Sequence, residues 1–240
     1  MGTQIPEKRL QAMDLGSEPW KGHILHGAAE MGIHIDRTQV DQIAIHGIEL
    51  LKWNRKMNLT AIRDPAAIAV KHFLDSLAPV PFIPSESRVL DIGSGGGFPG
   101  LPIKIVIPSL QMTLIDACRK KIHFLKHIIR MLRLDAIEAL HIRAEELARE
   151  MGAGERPPDG QYDVVVCRAF GRLADIVRTA LPLTRPTGTI IAFKGRISDT
   201  ERREAEIVAR EAMEGNPSIL LNRYRLPYLG FERFLVCIQR

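Results

Sequence analysis

The segment over 88–100, RVLDIGSGGGFPG, constrains this chain more than any other. An apolar run, Val89-Leu90-Asp91-Ile92, leads directly into glycines at 93, 95, 96, 97 and 100, and a helix-like stretch, LPIKIVI, follows. Glycine lets the backbone visit positive φ and lets a ligand approach without meeting a Cβ. Strand, glycine turn and helix in that order form the usual cradle for a nucleotide-like cofactor.

The surrounding sequence supplies a sheet for that turn. Strands are expected over 88–92, 112–116, 137–142, 162–167 and 188–194. Helical patterns separate them, as in KKIHFLKHIIRML, where Ile122, Leu125, Ile129 and Leu132 form an apolar stripe. Such alternation argues for an α/β fold, a mostly parallel sheet with helices on both faces. After the helical SDTERREAEIVAREAM, SILLNRYRLP and ERFLVCIQR flank Tyr228-Leu229-Gly230. Strands joined by so short a loop pair antiparallel, so the sheet is expected to end in a hairpin.

Residues 1–20 lack periodicity and read as a flexible arm. Residues 21–84 read as an N-terminal helical extension, and 85–240 as the α/β domain. Within the extension one helix begins after Asp36, with Val40, Ile43, Gly47, Leu50 and Leu51 near one face. A second opens at Asp64-Pro65, an N-cap followed by a proline that suits the first turn. A chain of 240 residues accommodates one such domain with its extension, and nothing in it demands more than a monomer. No apolar run approaches the roughly 20 residues that span a bilayer, and the N-terminus lacks the core of a secretory signal. The expectation is a cytoplasmic protein with no membrane partner. Cys118, Cys167 and Cys237 have no metal-like spacing, so no metal is expected. A net charge of +5 draws polyanions to the surface.

Which cofactor the turn takes follows from position. Gly95-x-Gly97-x-x-Gly100 formally matches the dinucleotide pattern GxGxxG. The tight turn belongs at the strand end, however, which makes Gly93 the first glycine and puts Phe98 where the third should stand. Phe98 would crowd a pyrophosphate, and Asp91 at the strand tip would repel one. Both suit a cofactor with an amino-acid tail, S-adenosylmethionine rather than NAD. Asp116 ends the second strand 23 residues after Gly93, where a carboxylate can accept from ribose hydroxyls. Alone it could equally be a helix cap. Arg143-Ala144-Glu145-Glu146 follows the third strand, a suitable place for the adenine edge, although such acids also favour a helix N-terminus. Arg168 ends the fourth strand at the same sheet edge.

LLKWNRKMNLTAIRDP (50–65), KHFLDSL (71–77), LDIGSGGGFPG (90–100), the Arg143-Ala144-Glu145 turn and CRAF (167–170) together resemble the bacterial small-subunit ribosomal RNA guanine-N7 methyltransferases, the glucose-inhibited division protein B family. The similarity spans roughly residues 40–240. It implies a class I methyltransferase (Rossmann-like) fold, S-adenosylmethionine as methyl donor and a guanine of 16S ribosomal RNA as acceptor. It implies cofactor contacts at Gly93, Phe98, Ala144, Glu145 and Arg168. Asp91, Gly95 and Asp116 join that set from their own positions.

Guanine N7 carries a free lone pair and no proton, so its methylation needs no general base. Catalysis then rests on alignment and on groups that tolerate positive charge moving onto the ring. A donor aimed at O6 would orient the base without competing for N7. Asn58, Thr60, His72 and Arg168 are the candidates, with Asp75 pairing one of them. Asn58, His72 and Arg168 are expected to act in catalysis. Arg168 stands out because an arginine beside Ala169-Phe170 has little evident structural duty. Lys52, Arg55, Lys56, Arg63, Lys194 and Arg196 are expected to face RNA phosphates. Arg119, Lys126, Arg130 and Arg133 fit a solvated helix face equally well. The alternative, a methyltransferase acting on a small molecule or protein, would need an enclosed apolar acceptor pocket.

Overall fold

The computed structural model describes residues 13–153, 161–168, 171–212 and 217–239. Among these residues seven strands form one sheet: β1 (Arg88–Ile92), β2 (Gln111–Asp116), β3 (Ile137–His141), β4 (Tyr162–Cys167), β5 (Thr184–Lys194), β6 (Ser218–Arg225) and β7 (Glu232–Gln239). Their order is β3-β2-β1-β4-β5-β7-β6. The first five pair in parallel, and β7 runs antiparallel to both β5 and β6. The hairpin is therefore present, but its second strand is the one that joins the sheet. Burial explains the choice. Leu235, Val236, Cys237 and Ile238 are consecutively buried, as an interior strand requires, whereas β6 exposes Leu220 and suits the edge. Because β7 alone is reversed, β6 runs with the first five strands. The loop over 226–231 consequently emerges at the same sheet edge as the ends of β1 and β4.

β5 starts four residues before its expected position, at Thr184 rather than Gly188. The Arg185-Pro186-Thr187-Gly188 segment has turn composition, and the ladder is indeed irregular there: Tyr162 pairs with Thr184, and Val164 with Thr189. Proline in a strand is tolerated at such an interruption.

The helices are α1 (Glu18–Glu30), α2 (Arg37–Met57), α3 (Pro65–Ile68), α4 (Asp75–Leu77), α5 (Gly100–Val106), α6 (Arg119–Met131), α7 (Ala144–Gly152), α8 (Leu173–Ala180) and α9 (Asp199–Ala212). A π-helical turn, Ala69–Leu74, joins α3 to α4. Asp36 and Gln39 form a reciprocal capping box on α2, and Asp64 caps α3 through the Ala67 N–H. The arm reading of residues 1–20 needs correction at its end. Ser17 caps α1, Met13 and Leu15 pack against the core, and Trp20 is 0% exposed with its indole N–H donating to Pro65 O at 2.8 Å. Residues 1–12 lie outside the described ones.

Strand alternation splits the interior into two cores. Val89, Met112, Leu114 and Val164 face a cluster built with α1 to α6 through Trp20, Ile43, Leu50, Phe73, Leu101 and Phe124. Leu90, Ile115, Val165 and Ile190 face α7 to α9 through Leu147, Val177 and Ala209. The helical extension thus shares its core with one face of the sheet. On α6 the stripe is displaced, with Phe124 and Ile128 buried and Ile129 only half so. Among the described residues no helix is long and apolar enough to cross a membrane.

Candidate cofactor cradle and acceptor site

Strand order reverses between β1 and β4, and open α/β sheets bind ligands in the crevice outside such a switch point. The glycine turn lies there, with φ of 74° at Gly93, 56° at Gly95 and 92° at Gly97. These glycines serve different ends. A Cβ on Gly97 would come within 2.4 Å of Leu101 Cδ1, and one on Gly100 within 2.7 Å of Asp91 Oδ2, so close packing accounts for both. A Cβ on Gly95 would meet only Gly93 O at 3.8 Å. Gly93 is exposed and Gly95 half-buried, so the open floor of the cradle is this pair. The cofactor's fit is met here: backbone lies bare at the strand tip, and a side chain would occupy the space.

Hydrogen bonds fix the turn. Gly93 and Ser94 N–H both donate to Ile115 O, at 2.9 and 3.0 Å. Asp116 accepts from Gly95 N–H at 3.0 Å through Oδ2 and from Cys118 N–H at 2.7 Å through Oδ1. It braces the turn and leads into α6. Oδ2 also faces the Lys121 ammonium at 3.6 Å, and Oδ1 keeps a further lone pair for a ribose hydroxyl.

Asp91 differs from expectation. Strand parity turns it into the face covered by α5, where it is 0% exposed and its Oδ2 accepts from Gly100 N–H at 2.9 Å. Oδ1 is buried without a partner, and burial pushes the carboxyl up to about 7. An ammonium reaching it would find an unpartnered acceptor in Oδ1.

Phe98 is a core ring, 9% exposed, rather than an open contact surface. His46 stacks on it with centroids 4.9 Å apart, His72 at 4.6 Å, and Phe73 meets its edge at 5.2 Å. His46 was absent from the sequence-derived site. It projects from the buried face of α2, and its Nε2–H donates to Gly96 O at 2.8 Å. Burial lowers it to about 4, so the ring is neutral. The available signal was a histidine three residues after Ile43, on the face that also carries Val40, Gly47 and Leu50.

Arg168 does have a structural duty, contrary to expectation. Its guanidinium donates to the carbonyls of Lys71 and His72 in the π turn, and to Ser76 Oγ at 3.0 Å. It pairs with Asp75 at 3.4 Å. Asp75, 1% exposed, also accepts from Tyr224 Oη at 2.7 Å and lies 3.5 Å from Arg233 Nε. Arg168 thereby ties the end of β4 to the helical extension, and burial lowers its pKa.

His72 links this cluster to the loop after α2. Its Nδ1 lies 3.3 Å from Arg168 Nη2, and its Nε2 lies 2.7 Å from Thr60 Oγ1. Burial and, second, the Arg168 charge push it down to about 3. Asn54, also missed in the sequence, holds Thr60 from both sides: its amide donates to Thr60 O at 2.8 Å and accepts from Thr60 N–H at 3.0 Å. Asn58 ends α2 in the left-handed conformation (φ 49°) with an exposed side chain, outside that network among the described residues. The geometry thus unites Thr60, His72, Asp75, Phe98 and Arg168, and leaves Asn58 as a helix cap.

Ala144 opens α7 buried against the second core, with Glu145 exposed in the first turn. Lys52, Arg55, Lys56, Arg63 and Arg196 are exposed, Lys52 pairing with Glu49 at 3.1 Å. Lys194 is the exception. Its side chain is mostly buried, and Nζ donates to Gly171 O at 2.8 Å and Glu201 Oε1 at 2.6 Å, so its charge is already matched. Ala169 and Phe170 lie outside the described residues.

A parallel sheet with one reversed strand next to its edge, a bare glycine cradle at the switch point and an acid ending the neighbouring strand define a class I S-adenosylmethionine-dependent methyltransferase. The same fold occurs in an O-methyltransferase from Bacillus cereus solved in complex with SAH (TM-score 0.59, 18% identity, 93% of this chain and 99% of that one). It occurs also in a SAM-dependent methyltransferase from Aquifex aeolicus (TM-score 0.51, 17% identity, 75% and 96%). Residues 39–216 match the family described as rRNA small subunit methyltransferase G, and the chain belongs to that family. Ribosomal RNA small subunit methyltransferase G of Geobacter sp. (strain M21) is 44% identical over 214 residues, 89% of this chain and 94% of the relative. That of Geotalea uraniireducens (strain Rf4) is 40% identical over 226 residues, 93% and 98%.

Proposed function

We propose that this protein transfers the methyl group of S-adenosylmethionine to N7 of one guanine in 16S ribosomal RNA, acting as a monomer in the cytoplasm. The observation that carries the choice of acceptor is that His72 and Asp75, the titratable side chains beside the Thr60 loop, are both already engaged. Both His72 nitrogens are engaged, and the ring is held neutral far below its usual range. Asp75 is committed to Tyr224 and Arg168. A hydroxyl or amine acceptor would have to surrender a proton; His72 and Asp75 are committed, and the unpartnered Oδ1 of Asp91 is the oxygen assigned to the cofactor's ammonium. Guanine N7 has none to surrender.

When bound, S-adenosylmethionine supplies an electrophilic methyl on a positively charged sulfur. Gly93 and Gly95 would carry its tail along bare backbone, with Asp91 available to the ammonium, Asp116 to the ribose hydroxyls, and Ala144-Glu145 to the adenine. His46 and Asp116 hold the turn rigid through Gly96 O and Gly95 N–H, which serves alignment of the reacting atoms. Arg168 acts as the strut that sets His72 and the β4 end beside the cradle. The exposed cations Lys52, Arg55, Lys56, Arg63 and Arg196 would meet RNA phosphates.

The test is methylation of small ribosomal subunits and of naked 16S RNA that lack the modification, followed by nucleoside mass spectrometry. One 7-methylguanosine per RNA is expected. Methylation at another atom, or only of a small molecule or protein, would reject the reading.

A further inference from the structure

We infer that the Thr60 hydroxyl orients the acceptor base by donating a hydrogen bond to guanine O6; this rests on the guanine-N7 reading above. The direction of each bond follows from which groups can donate. Arginine has donors and no acceptor, so Arg168 Nη2 donates across 3.3 Å to His72 Nδ1. With Nδ1 accepting and the ring neutral, its one proton is on Nε2. Nε2–H donates across 2.7 Å to Thr60 Oγ1. Ile62 N–H donates to the same oxygen at 3.0 Å. A hydroxyl has two lone pairs and one proton. Both lone pairs are taken, and among the described residues nothing accepts the remaining proton.

The side chain has little freedom to turn away, because Asn54 pins the Thr60 backbone at both its N–H and its carbonyl. Thr60 is half-buried and adjoins the His72–Phe98 stack that rises from the glycine turn. It is therefore a fixed donor beside the cradle. On the guanine edge that carries N7, the other acceptor is O6. A donor on O6 fixes the ring while leaving the N7 lone pair free for the methyl. Adenine presents an amino donor at that position. Donor would face donor, so the same hydroxyl selects guanine over adenine. His72 is then a positioning residue, acting through Thr60.

The experiment is a cycle between protein and RNA. Thr60→Val and Thr60→Ser are assayed at saturating S-adenosylmethionine on RNA bearing guanine or 2-aminopurine, which lacks O6, at the methylated position. Thr60→Val is expected to lower kcat/KM on guanine by about 10- to 100-fold, on the order of one hydrogen bond left unmade. Thr60→Ser should restore most of that loss. On 2-aminopurine the wild type should fall by a similar factor, with no further loss in Thr60→Val. Affinity for S-adenosylhomocysteine should be the same in all three proteins. An equal loss from Thr60→Val on both RNAs, an indifference of the wild type to O6, or a loss confined to S-adenosylhomocysteine binding would each overturn the inference. Failure of the wild type to methylate guanine RNA would instead reject the functional reading beneath it.

Discussion

Three titratable residues, His46 and Asp91 buried and His72 half-buried, make stability depend on pH in opposing ways. His46 and His72 are lowered to about 4 and about 3 from 6.5, chiefly by burial. Their contribution is complete above 6.5 and is lost as pH falls through the folded values. Asp91 is raised from 3.8 to about 7, again by burial. Its contribution is complete below 3.8 and is lost as pH rises through 7. Each group changes stability by about 1.4 kcal/mol per pH unit within its own window. Between about 4 and 6.5 the two histidines outweigh the one carboxyl, so stability climbs; from 6.5 to 7 Asp91 acts alone and stability drops slightly. Melting temperature should therefore peak near pH 6.5. Asp91→Asn, which keeps an acceptor for Gly100 N–H, should abolish the drop and steepen the acid limb. An unchanged profile in that variant would show that Asp91 does not titrate there. The glycines give a second contrast. Gly95→Asp puts a charged side chain into open space, and should retain the fold while weakening S-adenosylhomocysteine binding by more than 100-fold in calorimetry. Gly97→Ala drives a Cβ into Leu101, and should lower the melting temperature as well. Equal behaviour of the two would contradict the division of labour in the turn.

At the scale of elements, what was legible in the sequence was what local chemistry dictates. Asp36 and Asp64 announce their helices because a side-chain oxygen must satisfy a free N–H. β1 and β4 match residue for residue because continuous apolar runs between breakers leave little choice. The π turn was not legible, since AVKHFL has nothing that distinguishes it from an ordinary helix. Its carbonyls accept from Arg168, a residue 96 positions beyond His72, so the reason for the turn lies outside its own sequence. The same holds for Arg168, whose hydrogen-bond and ion-pair partners among the described residues lie on the extension, and for Asp91, whose destination depends on α5 packing over β1. π turns concentrate at functional sites, and this one carries His72. Arg168→Met should consequently act on stability first. It takes from buried Asp75 one of its two cations, leaving Arg233, and strips the donor from the Lys71 and His72 carbonyls, a loss on the order of 1.5–3 kcal/mol, or a melting temperature lower by roughly 3–12 °C for a chain of this size. Differential scanning fluorimetry would read it. A variant of normal stability that no longer binds S-adenosylhomocysteine would instead make Arg168 a ligand group.

For the whole molecule the decisive fact is that one reversed strand brings the terminal hairpin loop to the cradle edge. Arg196 and Arg233 flank exposed Phe231 there, around a recess of about 510 Å³, while Arg55, Lys56 and Arg63 lie near the Thr60 loop. Phosphates neutralised at such cations release counterions, so affinity falls with salt in proportion to the number engaged. Replacing Arg55, Lys56 and Arg63 together by glutamine should weaken RNA binding at low salt and flatten the plot of log affinity against log salt by about 2 to 3 units, given roughly 0.7–0.9 per phosphate. S-adenosylhomocysteine binding should be untouched. Lys194→Gln should behave differently. Its ammonium is matched by Glu201 and Gly171 O, so removing it leaves the salt slope unchanged and lowers stability through the unpaired carboxylate. Filter binding across a salt series separates the two kinds of cation. A flattened slope in Lys194→Gln, or an unchanged slope in the triple variant, would move the RNA path off the Thr60 loop and onto the opposite wall of the cradle.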